Sequence, residues 1–151
     1  MLTLPVTTPS LVVVNSVSTT KDQVIRELAA RLQAEGRVTD VDSFVADVFR
    51  REEVLATGIQ GGIGIPHARS ASVTTPSVAI ASSATGIPFG APDGPAHLIF
   101  LIAAPIDTDN SHLQILAAIA RQVTREDFRN SLRAATEPGL IADIMSKEVP
   151  S

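Results

Sequence analysis

At 151 residues the chain is long enough for one well-buried core and too short for two ordinary domains. Its 44% hydrophobic and 19% charged residues describe a globular protein, and a net charge of −4 argues against a nucleic-acid binder, which carries a basic patch or stripe. No cysteine is present, so disulfides, thiolate zinc sites and a cysteine nucleophile are excluded.

The longest apolar run, Leu98 to Ile106, falls far short of the roughly 20 residues of a membrane helix. The N-terminus lacks the basic and apolar regions of a signal peptide, so a cytoplasmic protein without membrane insertion is expected. Ten of the twelve basic residues are arginine. Arginine suits bidentate contact with phosphate or carboxylate, and a GC-rich genome produces the same bias.

In chain order, Leu11 to Val17 reads as a short β-branched strand. A helix follows, with Thr20 and Gln23 in capping-box spacing, an apolar face of Val24, Ile25, Leu28, Ala29 and Leu32, and Gly36 at its end. A second helix is expected from about Asp40 to Glu53, burying Phe44, Val45, Val48 and Phe49. A glycine-rich connection leads to strands at Ile63 to Ile65, Ser77 to Ser83 and His97 to Ala104, the last apolar at nearly every position. Three helices close the chain. The first is capped by Asp109, Asn110 or Ser111, the second opens with Thr124 and Asp127 in capping-box spacing, and the third has Thr136 as cap and Pro138 in its first turn. These elements predict one layered α/β domain over residues 1–151.

Several chemistries find no support. There is no G-x-S-x-G elbow, and Gly58, Gly61, Gly62 and Gly64 fit neither a dinucleotide fingerprint nor a P-loop. The three histidines, His67, His97 and His112, lack the close pairing of a zinc helix, although a three-histidine metal site is an open alternative. His67 directly follows Pro66, whose fixed φ and extended predecessor aim the next side chain. On spacing alone His67 is either a surface histidine in a turn or an imidazole presented as a nucleophile toward phosphorus. Arg51 is either a solvated arginine at a helix C-terminus or part of that site. His112 falls in the first turn of a helix, where dipole and amides favour an anion.

The segment REEVLATGIQGGIGIPHARS resembles the phosphohistidine signature of enzyme IIA (EIIA) domains of the bacterial sugar phosphotransferase system (PTS), in the fructose and mannitol class. The family pattern, R-E followed by T-G-I-x-x-G-I-A-I-P-H, is met by Arg51, Glu52, Thr57, Gly58, Ile59, Gly62, Ile63, Ile65, Pro66 and His67. PFGAPDGPAHLIFLIAAP and HLQILAAIAR are similar to the family's strand segment and second-histidine helix. Gly64 stands where the family usually has Ala, and Gly61 where relatives often carry Asn or an acid.

The resemblance implies a mixed five-stranded sheet flanked by helices on both sides. It implies that His67 is phosphorylated by the phosphocarrier protein HPr and passes the group to a fructose-type IIB domain, itself linked to membrane IIC, with His112 and Arg51 in support. No cofactor or metal is implied, and His97 matches no site residue. Ile59, Ile63 and Ile65 are candidates for an apolar docking surface. The alternative within the family is a regulatory, nitrogen-related module whose phosphorylation state controls protein binding.

Overall fold

A computed structural model of the chain describes residues 6–106 and 111–148, the side chains of 111–113 and 148 excepted. A 3₁₀ turn at Pro9–Leu11 leads into β1 (Val12–Val13), followed by α1 (Lys21–Ala34) and α2 (Val41–Val54). Four strands come next, β2 (Gly58–Ile59), β3 (Ile63–Gly64), β4 (His67–Ser70) and β5 (Ser77–Ile87), then β6 (Ala96–Pro105). Helices α3 (Ser111–Gln122), α4 (Glu126–Ala134) and α5 (Pro138–Glu148) complete the chain.

The sheet is mixed, ordered β1-β5-β6-β3-β2, with β4 also paired to β6. β3 and β4 run parallel to β6 at one offset of 35 positions (98 − 63 and 102 − 67), Ile63 facing Leu98 and His67 facing Ile102. They are one row interrupted at Ile65 and Pro66, where proline has no N–H to give the ladder. The six strands therefore fill five positions, as the resemblance implied.

Both faces are covered because β5 and β6 are apolar at consecutive positions. Val78, Ile80, Leu98, Phe100 and Ile102 pack under α3, α4 and α5, reaching Ile115, Ile119, Phe128, Leu132 and Ile141. Their neighbours Ala79, Ala81, Ile99, Leu101 and Ala103 lie under α1 and α2, against Ile25, Leu28, Phe44 and Val48. A two-residue side-chain period on a strand assigns alternate residues to opposite layers, so an unbroken apolar run requires helices on both sides.

The termini of α1 follow its sequence closely. Thr20 Oγ1 accepts from the Gln23 amide at 3.1 Å, while Gln23 Oε1 accepts from the Thr19 amide at 2.8 Å, so the return bond lands one residue earlier than in a standard capping box. Gly36, at φ 72°, ends the helix with Arg37 N–H on Leu32 O and Gly36 N–H on Gln33 O.

Elsewhere the local signals misplace boundaries. The expected strand from Leu11 to Val17 shrinks to two residues, because Leu11 N–H closes a turn on Thr8 O and Asn15 adopts φ 55°. Thr124 does not cap α4. Its hydroxyl donates to Arg121 O at 2.7 Å, and Arg125 occupies the capping position without a side-chain cap, its guanidinium donating instead to Asp127 Oδ2 at 2.8 Å. α5 begins at Pro138, which moves its capping position from Thr136 to Glu137. The cap expected from Asp109 or Asn110 lies outside the described residues.

Gly64 has a packing explanation. A Cβ placed there would lie 2.8 to 3.0 Å from three ring atoms of Phe89, which is buried. The aromatic ring fills the volume that an alanine would need. Gly64→Ala should therefore destabilise the fold by about 1–3 kcal/mol through overpacking, read as a lowered urea midpoint. In a Phe89→Leu background the same change should cost less, and equal costs in both backgrounds would show that the ring is not the obstacle.

Candidate functional site

The sequence that follows α2 is fixed from beneath by one carboxylate. Glu52, buried at the end of α2, accepts from Lys21 Nζ at 2.8 Å and from the Thr57 amide at 3.3 Å through Oε2, and from the Thr57 hydroxyl through Oε1. Lys21 also lies 5.3 Å from the centre of the Phe89 ring, the ring that fills the space beside Gly64. Thr57 O in turn accepts from the Ile65 amide at 3.2 Å. A run of polar contacts thus leads from the start of α1 to the residue two before His67.

At His67 the same run sets the ring. His67 Nδ1 is 2.8 Å from Ile65 O. A carbonyl only accepts, so Nδ1 must carry the proton of the neutral imidazole, leaving the lone pair on Nε2. Pro66 O accepts from Ile102 N–H at 3.0 Å, which holds the peptide before His67 to β6. The histidine is half-buried, and its orientation is set by main chain on one side and the sheet on the other.

His67 opens on a cleft of about 380 Å³ lined also by Asp47, Arg50, Arg51, Ala68, Arg69 and Leu116. Arg50 is paired with Asp47. Arg51 Nη1 donates to Leu55 O at 3.1 Å and Arg69 Nη2 to Ile106 O at 2.7 Å, and neither has a carboxylate partner among the described residues. Each guanidinium is steadied by one bond to a main-chain carbonyl and retains further donors. Two positive charges without anions beside an imidazole lone pair suit an incoming dianionic group.

The structure brings Arg51 and His67 to one cleft, sixteen positions apart in sequence (67 − 51). Position 112 falls in the first turn of α3, but the His112 side chain lies outside the described residues. His97 stands five residues before Ile102, the partner of His67, or about 16 Å along β6. That separation removes the three-histidine metal site as a reading, and no cluster of three potential metal ligands occurs among the described residues.

Arg69 is a site residue that sequence reasoning passed over. Its signal was present, since it lies two positions from His67 on a strand and so shares its face. The apolar docking candidates need correction. Ile63 and Ile65 are in the core, 0% and 6% exposed, because β3 is covered by the α3–α5 layer. Of the three only Ile59 is exposed, and Val54 and Leu55 at the end of α2 are further large apolar side chains on the surface.

Comparison with known proteins gives the family and the fold. Residues 5–148 match the family model described as phosphoenolpyruvate-dependent sugar phosphotransferase system, EIIA 2. The chain is 40% identical over 131 residues to the fructose-specific EIIA component of Haloferax volcanii, covering 86% of this chain and 85% of that one. It is 37% identical over 134 residues to the fructose-specific EIIABC component of Bacillus subtilis, covering 88% of this chain and only 21% of that longer protein. Among solved structures, the nitrogen regulatory protein IIA-Ntr of Neisseria meningitidis superposes with a TM-score of 0.83 at 27% identity, over 91% of this chain and 94% of that one.

The position of Glu52 yields a test independent of phosphorylation. Glu52→Gln removes the charge facing Lys21 and turns one accepting atom into a donor. It should lower stability by about 1–3 kcal/mol and speed hydrogen exchange at the Thr57 and Ile65 amides relative to the β5–β6 core. Parental exchange at both amides would show that the loop is held without the carboxylate. A mixed sheet between two helical layers, a buried R-E glutamate holding the glycine loop and a family match over residues 5–148 agree: the chain belongs to the EIIA 2 family of the phosphoenolpyruvate-dependent sugar phosphotransferase system and is an EIIA phosphotransferase component.

Proposed function

We propose that residues 1–151 act as one domain that carries a phosphoryl group on Nε2 of His67, received from the phosphocarrier HPr and passed to a fructose-type IIB domain linked to membrane IIC. The observation that carries this reading is the hydrogen bond from His67 Nδ1 to Ile65 O, made beside two arginines that lack carboxylate partners among the described residues. In the transfer step the Nε2 lone pair attacks phosphorus in line. The N–P bond of the donor phosphohistidine breaks and its electron pair returns to the donor ring. The proton stays on Nδ1, hydrogen-bonded to Ile65 O throughout, so the positive charge gained by the ring is met by a carbonyl dipole. Arg51 and Arg69 hold the equatorial oxygens, where positioning and electrostatics supply most of the catalysis.

His112 is assigned to the same site as a second donor. Position 112 is one helical turn before Leu116, which lines the His67 cleft, and residues four apart share a helix face. Val54, Leu55 and Ile59 offer exposed apolar surface next to the loop for both partners. The fructose-specific names of the two similar sequences favour sugar uptake. The likeness to a nitrogen regulatory protein supports the second reading, in which the phosphorylated chain controls the binding of other proteins.

Incubation with phosphoenolpyruvate, enzyme I and HPr should place one acid-labile, base-stable phosphate on His67 Nε2, identified by the nitrogen shifts and phosphorus coupling of the ring. His67→Ala should abolish labelling and keep the fold. Label on Nδ1 or on another residue overturns the assignment. Passage of the label to a fructose-type IIB domain supports the uptake reading, and a stable phospho-form in its presence supports the regulatory one. Arg51→Lys should slow single-turnover transfer by about tenfold, since an ammonium cannot reproduce the planar fork. Parental rates in that variant would return Arg51 to a surface role.

A further inference from the structure

A second cleft lies at the other end of the sheet, around two features the phosphoryl site does not use, His97 and Gly61. Its floor is the turn between β2 and β3, where Gly61 and Gly62 adopt φ 98° and 75°. That turn is pinned in three directions. Gly61 N–H donates to Asp93 Oδ2 at 2.9 Å, Gly61 O accepts from Arg133 Nη2, and Gly62 O accepts from the amides of His97 at 2.7 Å and Leu98 at 3.0 Å.

Side chains would fill this space. A Cβ on Gly61 would meet the Arg129 side chain at 3.0 to 3.1 Å, and one on Gly62 would meet Arg133 Nη2 at 2.5 Å. The two glycines leave room for two guanidinium groups to lie over the turn. Arg129 and Arg133 are one helical turn apart on α4, so they project side by side. Arg129 Nη1 donates to Val123 O at 2.6 Å, and neither arginine has an acidic partner among the described residues. His97 Nδ1 lies 2.8 Å from Ser83 O, a contact in which only the ring can donate, so its Nε2 is the nitrogen left for another partner.

The cleft bounded by these groups measures about 310 Å³ and is lined also by Glu126 and Asn130. A second recess of about 290 Å³, reaching Asn15 and Ser82, shares His97 and Arg133 with it. Each alone matches the smaller end of small-molecule sites.

We propose that this α4 cleft binds a small phosphorylated polyhydroxy compound of the sugar-phosphate class. The adjacent forks of Arg129 and Arg133 present donors to a three-oxygen dianion, which a lone carboxylate would not occupy fully. The free oxygen of Asp93, Glu126, Asn130 and His97 Nε2 stand around that position as acceptors and donors for hydroxyl groups. The two carboxylates also oppose a bare polyanion, in keeping with the negative charge of the chain. The site stands apart from His67 and does not depend on phosphorylation there.

An amide NMR titration of the 151-residue chain tests this, with fructose 1-phosphate, inorganic phosphate and unphosphorylated fructose as probes. Fructose 1-phosphate should give saturable shifts at Gly61, Gly62, His97, Arg129 and Arg133, at least about tenfold tighter than inorganic phosphate, with no response to fructose. The pair Arg129→Gln and Arg133→Gln should abolish those shifts. Should that pair unfold the chain, Arg129→Lys and Arg133→Lys singly should keep the fold and weaken binding about tenfold, since each keeps charge without the fork. No saturable shift up to about 10 mM, shifts centred on His67, or binding unchanged in the arginine variants would overturn the site. Equal affinity for inorganic phosphate would overturn its assignment to a hydroxylated ligand.

Discussion

The carboxylate of Glu52 is the contact on which the working end of this protein depends. It is buried in the last turn of α2, and it accepts from α1 through Lys21 and from the glycine loop through Thr57. A charge removed from water is tolerated only when its lone pairs are satisfied, so the loop cannot leave without exposing an unmet carboxylate to an apolar surrounding. Thr57 then hands the constraint to Ile65, and Ile65 to the ring of His67. The links at Glu52 are charge-assisted, that from Ile65 to Thr57 is main chain to main chain, and the last runs from the His67 ring to a carbonyl. This is how a segment of four glycines and one proline is held as firmly as a strand.

The second constraint comes from the sheet. Pairing to β6 on either side of Pro66 keeps β3 and β4 in one register, so the interruption costs ladder bonds without shifting any side chain to the wrong face. His67 therefore sits where a strand resumes, directed by a peptide that the neighbouring strand still holds. Leu116 of α3 lines the cleft on which it opens.

Both clefts use arginine in the same way. Arg51, Arg69, Arg129 and Arg133 each bond a carbonyl oxygen of the main chain. A carbonyl fixes the direction of a guanidinium without cancelling its charge, whereas the Arg50–Asp47 pair spends its charge internally. A chain of net charge −4 can in this manner present guanidinium donors at two ends of one sheet.

Much of the architecture was determined by the sequence alone. Apolar period placed α1 and α2 and their buried faces, and the unbroken apolar run of β6 required helices on both sides. The arrangement R-E, T-G-I and I-P-H singled out the loop and its histidine through the family resemblance, while proline and glycine alone left His67 open between a turn residue and a nucleophile. Tertiary structure decided what local chemistry cannot reach. The strand at Leu11 lost most of its length to a turn at Thr8, and the hydroxyl of Thr124 found a carbonyl of α3 instead of an amide of α4. Ile63 and Ile65, attractive as surface residues beside a glycine loop, belong to the core because the loop folds under α3–α5. The glycine at position 64 is dictated by Phe89, twenty-five residues away (89 − 64), whose ring fills the missing methyl's volume. The protonated nitrogen of His67 likewise follows from the distance between its ring and the Ile65 carbonyl, and no pattern of residue types records that until the loop has folded.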